Sequence, residues 1–208
     1  AFNQDEIKLI KTMGLALNKI KSIKKEYPFN GLTSLRELDL SYNEFIEIEP
    51  FSFLNSTNTL YKLDMSFNKI KLIQDHSFTG LRYLNQLDIS NNQLDQISSY
   101  SFRNLTKLSE LNIGWNAIES FEENSFYDLI NLKKLDISGN NLTQLKPYSL
   151  AQLVNLNEIN FENNGMRFIE QNSFDGLFNL KKLDLFANSL FSLNSSPFIK
   201  LNNLEFLD

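Results

Sequence analysis

One asparagine recurs at an almost constant interval along the 208 residues, and the apolar residues around it recur with it. The intervals between successive copies are 25, 25 and then five times 24 residues. The copies stand at Asn18, Asn43, Asn68, Asn92, Asn116, Asn140, Asn164 and Asn188. A period of this length is the signature of a solenoid, in which each copy forms one coil that stacks on its neighbours. The period therefore predicts an elongated, stacked fold.

The asparagine follows the pattern LxxLxL, in which apolar and polar residues alternate as in a strand with one buried face. Its side-chain amide can pair the backbone groups that a turn leaves unpaired. We therefore expect the eight asparagines to form a ladder of buried amides. A phenylalanine then carries the chain back along the far side, and Leu150 replaces it in the sixth copy. The expected aromatic spine comprises Phe53, Phe78, Phe102, Phe126, Phe174 and Phe198.

The whole pattern, LxxLxLxxNxLxx(I/L)xxxxFxxL, resembles the leucine-rich repeat family and its 24-residue extracellular subclass, from about Ile10 to Asp208. Phrases such as LRELDLSYNEF and LYKLDMSFNKI are similar to Toll-like receptor ectodomains and related surface proteins. The resemblance implies an α/β leucine-rich repeat solenoid, a curved horseshoe arc. A parallel β-sheet would line its concave face, with mostly irregular loops and short turns on its convex face.

We expect one domain over residues 1–208, with repeats starting near residues 10, 35, 60, 84, 108, 132, 156 and 180 and a partial ninth from 204. The second copy is one residue long and lacks the leucine after Phe53, so we expect a looser convex loop at FLNSTNTL. No cysteine-rich cap flanks the repeats, and the sequence begins without Met and stops within the ninth copy. These features favour part of a longer ectodomain.

Composition argues against several function classes. The absence of cysteine excludes disulfides, thiolate chemistry and Cys-based metal sites. His76 is the one histidine, and without Cys neighbours it is a poor metal ligand set and has no nucleophile partner in view. We therefore expect no enzyme, no cofactor and no metal site. No run of eighteen apolar residues occurs, so membrane contact would need segments outside this sequence. The net charge of −5 disfavours general nucleic-acid binding.

An acidic or amide residue lies between the two strand leucines of nearly every copy, which would form a ribbon on the concave face. The column comprises Asp39, Asp64, Asp88, Asn112, Asp136, Asn160, Asp184 and Asp208. Stacked strands lie about 4.8 Å apart, so these side chains would be close neighbours. Either a cation or basic partner binds this ribbon, or its members are solvated and tied to neighbouring side chains. The candidate contact residues here are Asp64, Asp88, Asn112 and, two positions beyond the column, Glu162.

The residue before each ladder asparagine would face the concave side or its rim. This second column comprises Leu17, Tyr42, Phe67, Asn91, Trp115, Gly139, Asn163 and Ala187. Exposed aromatic residues are enriched at binding hot spots, so Trp115, Tyr42 and Phe67 are candidate contacts. Phe186 adds an aromatic residue on the expected strand of the eighth copy, and Gly114 is expected to leave room beside the Trp115 ring. Alternatively, these aromatic side chains only shield the turn.

Four N-x-S/T sequons fall outside the expected strands, where glycans would occupy loops or the convex side and leave the sheet bare. Their acceptors are Asn55, Asn104, Asn141 and Asn194. A lysine cluster after the first strand comprises Lys19, Lys21, Lys24 and Lys25. This cluster is either a site for an anionic partner or a solvated edge.

Together these patterns predict a recognition module that binds a protein or another macromolecule through its concave face. The parent would be an extracellular or cell-surface receptor, in innate immunity or development, with dimerisation of that receptor as a further contact. The alternative is an adhesion or matrix protein that assembles laterally, and a cytosolic scaffold is the third hypothesis.

Overall fold

The computed structural model describes residues 8–23, 29–54, 59–193 and 196–208. Each coil begins with a short strand that pairs in parallel with the strand of the next coil, which gives a nine-stranded sheet within these ranges. Its strands are β1 (Thr12–Gly14), β2 (Glu37–Asp39), β4 (Lys62–Asp64), β6 (Gln86–Asp88), β8 (Glu110–Asn112), β10 (Lys134–Asp136), β12 (Glu158–Asn160), β14 (Lys182–Asp184) and β15 (Phe206–Leu207). In β2 to β14 of this sheet the middle residue is buried and its two neighbours are exposed or half-buried. One face of the sheet therefore packs on the core while the other is open.

A second set of short strands follows the turns at the ends of the sheet strands from β2 to β12. β3 (Glu47–Ile48) pairs with β5 (Leu72–Ile73), β7 (Gln96–Ile97) with β9 (Ser120–Phe121), and β11 (Gln144–Leu145) with β13 (Phe168–Ile169), all in parallel. No helix occurs within the described part of the chain. The predicted solenoid with its parallel sheet is confirmed, and the segments outside that sheet are more regular than the irregular loops expected there.

The phenylalanine spine gives the solenoid its curvature. From Phe29 to Phe126 the rings stack in consecutive pairs with centroids 6.2–6.4 Å apart. Sheet strands lie only about 4.8 Å apart, so the coils are wider on the spine side and the sheet lines the inside of the arc. Phe29 was missing from the predicted spine because the first copy departs from the repeat pattern. Leu150 interrupts the stack, which resumes between Phe174 and Phe198 at 5.9 Å.

The repeating asparagines join each coil to the one before it. Nδ2 of Asn164 donates to the carbonyl oxygen of Phe161 in its own coil (3.0 Å) and to that of Ile137 in the preceding coil (3.1 Å). Its Oδ1 accepts the amide hydrogen of Leu142 (3.1 Å). Asn18, in the first described coil, is exposed, and within the described ranges its side chain bonds only to carbonyl oxygens of its own turn. Each interior asparagine therefore satisfies backbone groups that would otherwise be buried without partners.

Two further ladders of hydrogen-bonding side chains were not predicted from the sequence. In the outer ladder, Asn131, Asn155, Asn179 and Asn203 donate to the carbonyl oxygens of Thr106, Ile130, Val154 and Phe178 at 2.7–2.8 Å. The other ladder consists of buried serines that precede the spine residues. Oγ of Ser125 donates to the carbonyl oxygen of Ile97 (2.8 Å), and Oγ of Ser173 donates to that of Leu145 (2.9 Å). Polar side chains thus bridge neighbouring coils at three places around the turn.

Candidate functional site

The open face of the sheet forms a groove of about 390 Å³ that crosses the six strands from β4 to β14. Its walls are two rows of side chains on either side of the buried strand leucines and isoleucine. The first, the charged row, comprises Lys62, Gln86, Glu110, Lys134, Glu158 and Lys182. The second, the acceptor row, comprises Asp88, Asn112, Asp136 and Asn160. The groove therefore presents both signs of charge in a fixed order along the arc.

The charged row was not predicted, because its residue type changes from one copy to the next. Nε2 of Gln86 donates to Oε2 of Glu110 (3.2 Å), and Nζ of Lys134 lies 3.6 Å from Oε2 of Glu158. Both members of the lysine–glutamate pair are about half exposed, and such pairs contribute little to stability. A ligand can therefore exchange these partners for its own groups at a small free-energy cost.

The Asp and Asn residues of the predicted ribbon, which include the acceptor row, cap the turns that follow their strands. Oδ1 of Asp64 accepts the amide hydrogen (2.9 Å) and the hydroxyl hydrogen (2.7 Å) of Ser66. Oδ1 of Asn112 accepts the amide hydrogen of Gly114 (3.0 Å), while its Nδ2 donates to Oδ2 of Asp88 (3.1 Å). Both Asp and Asn supply the oxygen that the turn needs, which explains why they alternate. The geometry favours the interpretation in which these residues are tied to their neighbours. Oδ2 of Asp64 has no donor among the described residues and stays available to a ligand.

The column before the ladder asparagines lies just beyond the strand ends and adopts left-handed backbone conformation in every copy. We call it the left-handed ridge; its φ values run from 52° to 63° at Leu17, Tyr42, Phe67, Asn91, Trp115, Gly139, Asn163 and Ala187. Residues other than glycine seldom adopt this conformation. Here the amide hydrogen of the ridge residue donates to the next coil, as from Trp115 to the carbonyl oxygen of Ser138 (2.7 Å). The hydrogen bonds between coils thus hold the ridge in place, whatever side chain it carries.

Aromatic side chains occupy the N-terminal part of the left-handed ridge. The rings of Tyr42 and Phe67 stack with centroids 4.2 Å apart and planes 5° from parallel, and both remain partly exposed. Trp115 is 57% exposed and lies two coils further along, beyond Asn91. The structure therefore brings two of the predicted contact residues together and leaves the third apart.

The Trp115 ring rests on Gly139 of the next coil. A Cβ atom at Gly139 would lie 2.7 Å from Cδ2 and 3.0 Å from Cε2 of the indole. A Cβ atom at Gly114 would meet Asn112 and Ser138 at 3.2 Å, and the room that Gly114 leaves beside the ring stays a prediction. Gly139 lies 24 positions after Trp115, one full coil away, so their contact is not visible in the local sequence.

Replacing Gly139 by Ala is expected to push the indole of Trp115 off the ridge. Ala187 has the same left-handed conformation, so the backbone accepts the change at a cost of about 1 kcal/mol. Trp115 is the single tryptophan, so a red shift of its emission and faster acrylamide quenching would report the displacement. Gly165→Ala is the control, because a Cβ there meets nothing closer than 3.5 Å. Unchanged emission in Gly139→Ala would contradict the packing described.

The remaining predicted contacts occupy less central positions. Phe186 was expected on a strand, but it lies in the turn two residues after β14. Its amide hydrogen donates to Oδ1 of Asp184 (3.2 Å). Glu162 has the equivalent position one coil earlier and donates its amide hydrogen to Oδ1 of Asn160 (2.8 Å). His76 lies on the opposite side of the solenoid and stacks on Phe51 at 5.2 Å. No group of three or more His, Cys, Asp or Glu residues suited to a metal ion occurs within the described ranges.

Two of the four sequons can be placed. Asn104 is exposed just after the spine residue of its coil, and Asn141 is exposed directly after a ladder asparagine, two residues beyond Gly139. A glycan on Asn141 would therefore stand beside the left-handed ridge. The sequons at Asn55 and Asn194 lie outside the described residues, as do residues 55–58 within the expected loose loop FLNSTNTL.

The lysine cluster is likewise described only in part, because Lys24 and Lys25 also lie outside the described residues. Lys19 is exposed, and Nζ of Lys21 lies 3.9 Å from Oε2 of Glu44. The one ion pair here is exposed, which leaves both earlier interpretations of the cluster open.

A family model supports the assignment that the repeat indicates. The BspA type leucine-rich repeat region matches residues 1–119 and 71–205, in six copies. The chain belongs to the leucine-rich repeat family. No curated protein sequence gives a significant match to it. Within the described part of this leucine-rich repeat chain, no helix is long and apolar enough to cross a membrane.

Solved structures share the fold of this leucine-rich repeat chain. A crystal structure of TLR13 in complex with ssRNA13 superimposes with a TM-score of 0.86 at 29% sequence identity. The match covers 99% of this chain and 29% of the TLR13 chain, so the chain spans less than a third of that relative. Internalin C2 from Listeria monocytogenes has a TM-score of 0.75 at 23% identity, covering 100% of this chain and 84% of that one. This second likeness concerns the fold alone.

Proposed function

We propose that this leucine-rich repeat chain is the recognition module of an extracellular receptor and binds a protein ligand through its concave groove and left-handed ridge. It acts by binding rather than by catalysis, and residues 1–208 form one domain of eight repeats and part of a ninth. Leucine-rich repeat proteins bind macromolecules, and the likeness to TLR13 supports a receptor of innate immunity. The mixed charges of the groove suit a protein surface, in which both signs occur.

The observation that carries this proposal is Trp115 beside the charged groove. The indole packs against Gly139 of the next coil and remains 57% exposed, so it is held in place and accessible at once. No protein acceptor for its N–H occurs among the described residues, so a ligand can bond to it. Rigid, amphipathic aromatic residues lose little conformational entropy on binding and are over-represented at hot spots.

The proposed extracellular location is supported by the two sequons that can be described. Asn104 and Asn141 are both exposed and both lie outside the concave groove. Glycans at these sites would leave the charged row and the acceptor row accessible. Mass spectrometry of the chain made in a secretory host would report their occupancy.

Replacing Trp115 by Ala is expected to weaken ligand binding about 10- to 30-fold, which is the effect of a hot-spot residue. Ligands would first be selected from a displayed library of extracellular proteins and then measured by surface plasmon resonance. Lys134→Glu should weaken the binding of the same ligands, because it reverses a charge in the groove. Tyr148→Ala is the matched control, because Tyr148 is 58% exposed, has a left-handed backbone (φ 62°) and lies on the opposite side of the solenoid.

The reverse pattern would contradict the proposal. If Tyr148→Ala abolishes binding while Trp115→Ala leaves it intact, the contact surface is the convex side. Concentration-dependent self-association in sedimentation velocity, lost in Tyr148→Ala, would favour the alternative of a laterally assembling adhesion protein.

A further inference from the structure

Two rings of the left-handed ridge stand on either side of one polar residue. Phe67 has Tyr42 stacked on its N-terminal face, and Trp115 has Gly139 against its C-terminal face. The coil between them carries Asn91 at the same ridge position. Asn91 therefore lies between the two rings along the ridge, and we call the space over it, between Phe67 and Trp115, the ring slot.

The spacing of the coils sets the width of the ring slot. Phe67 and Trp115 are two coils apart, which corresponds to about 9.6 Å at the usual separation of paired strands. A planar group placed midway would lie about 5 Å from each ring. That distance is within the ~6 Å reach of a cation–π contact with both rings at once.

Hydrogen-bond acceptors belong to the same coils as the ring slot. The carboxylates of Asp64 and Asp88 accept the amide hydrogens of Ser66 and Ser90 (both 2.9 Å), the residues directly before Phe67 and Asn91. Oδ2 of Asp64 has no protein donor among the described residues. Nδ2 of Asn91 donates to Oγ of Ser90 (3.2 Å), which leaves its Oδ1 as a further acceptor.

These acceptors select the chemistry of the occupant. A phosphate-bearing ligand would meet two carboxylates and be repelled, whereas a cation with several donors would be attracted. Lys69 lies nearby in sequence, but its Nζ is 4.0 Å from Oε1 of Glu44 on the neighbouring coil. Guanidinium combines a flat face that stacks on aromatic rings with a fork of N–H donors for carboxylates, and an ammonium group has no flat face.

We propose that the ring slot formed by Phe67, Asn91 and Trp115 binds an arginine side chain of a protein partner. The guanidinium stacks between the two rings, and its N–H groups are directed to Oδ1 of Asn91 and the carboxylates of Asp64 and Asp88. This inference rests on the proposed function, because it names the residue that a protein ligand places on the ridge.

Trp115 is the single tryptophan and borders the ring slot, so its fluorescence and its indole signal report binding there. The whole chain, labelled with 15N, would be titrated with acetyl-Gly-Arg-Gly-amide while indole fluorescence and the indole 1H–15N signal are followed. We expect a saturable change with a Kd of about 1–10 mM, typical of a single side chain. The matched peptide acetyl-Gly-Lys-Gly-amide should bind at least about fivefold more weakly. Adenosine monophosphate should give no saturable change.

Variants then locate the binding. Asn91→Phe fills the ring slot and should abolish the response, and Tyr42 and Phe67 show that the ridge conformation accepts an aromatic residue. Asp88→Asn should weaken binding about threefold and reduce its salt dependence. The variant keeps an oxygen for the turn after β6, since Asn112 fills the same role in the next coil. Phe186→Ala should leave the response unchanged.

An equal response to the lysine peptide, or a response that survives Asn91→Phe, would overturn the arginine slot. If adenosine monophosphate binds saturably and the arginine peptide does not, the slot is assigned to a nucleobase and the arginine proposal is overturned as well. If selected protein ligands still depend on Trp115 but the arginine peptide does not bind, the slot is wrong and the proposed function stands. If the arginine peptide binds and those protein ligands do not depend on Trp115, the slot stands and the proposed function is wrong.

Discussion

Asn140→Ala is expected to lower the free energy of unfolding by about 3–4 kcal/mol. Asn140 is 6% exposed, and its Oδ1 accepts the amide hydrogen of Ile118 (2.9 Å), which has no other partner among the described residues. Its Nδ2 donates to the carbonyl oxygens of Ile113 (3.1 Å) and Ile137 (2.9 Å), each of which keeps a second donor from a neighbouring ladder asparagine. The loss therefore comes from one buried N–H left unpaired, from weakened carbonyl contacts and from the cavity that remains.

The measurement is equilibrium unfolding in guanidinium chloride, followed by far-ultraviolet circular dichroism. Asn18→Ala is the matched control, because Asn18 has the same repeat position but is exposed, and its bonds among the described residues go to carbonyl oxygens of its own turn. Its expected cost is below about 1 kcal/mol. Similar losses at the two positions would show that burial of the amide is not what the ladder contributes.

Phe102→Ala is expected to lower the free energy of unfolding by about 3–5 kcal/mol, the usual cost of removing a buried ring. Phe102 is fully buried, at 0% exposure, between Phe78 and Phe126, with ring centroids 6.2 Å from each. Neighbouring coils are held at a fixed distance by the sheet on the concave side, so the cavity cannot close by bringing them together. The same denaturation experiment measures the loss.

Phe102→Leu separates loss of the ring from loss of volume. Leu150 occupies the equivalent position of the sixth copy and is fully buried, so leucine is compatible with the spine. We expect a cost of about 1–1.5 kcal/mol, which is typical of an apolar exchange that keeps most of the volume. A loss as large as that of Phe102→Ala would mean that ring stacking, rather than filled space, stabilises the spine.

The period of the sequence was enough to predict the stacked coils and the buried leucines, because burial of a repeated face leaves few alternatives. The resemblance to leucine-rich repeats implied the parallel sheet. It also indicated which residues stand outside the scaffold. It did not indicate the left-handed ridge, since Tyr42, Phe67 and Trp115 are residues that seldom adopt positive φ. Their conformation is imposed by hydrogen bonds to the next coil, which the local sequence does not encode.

Contacts between coils explain the other differences. Trp115 rests on Gly139, and the charged row pairs Lys134 with Glu158, in each case about 24 positions apart. A pattern search within one copy treats such partners as unrelated. The charged row was not predicted for a second reason. The charge of its residues changes sign from copy to copy, so no consensus residue marks the position.

The sharing of one amide between two coils has a mechanical consequence. Asn164 and its counterparts in the ladder fasten each coil to the one before it, and the outer ladder repeats the fastening along a second line from Asn131 to Asn203. Under a pulling force, a coil can detach from the end of the stack without disturbing the coils beyond its neighbour. Each such rupture would release one period of 24 or 25 residues, or about 80 Å of extended chain, so the molecule would lengthen under load in a series of nearly equal steps.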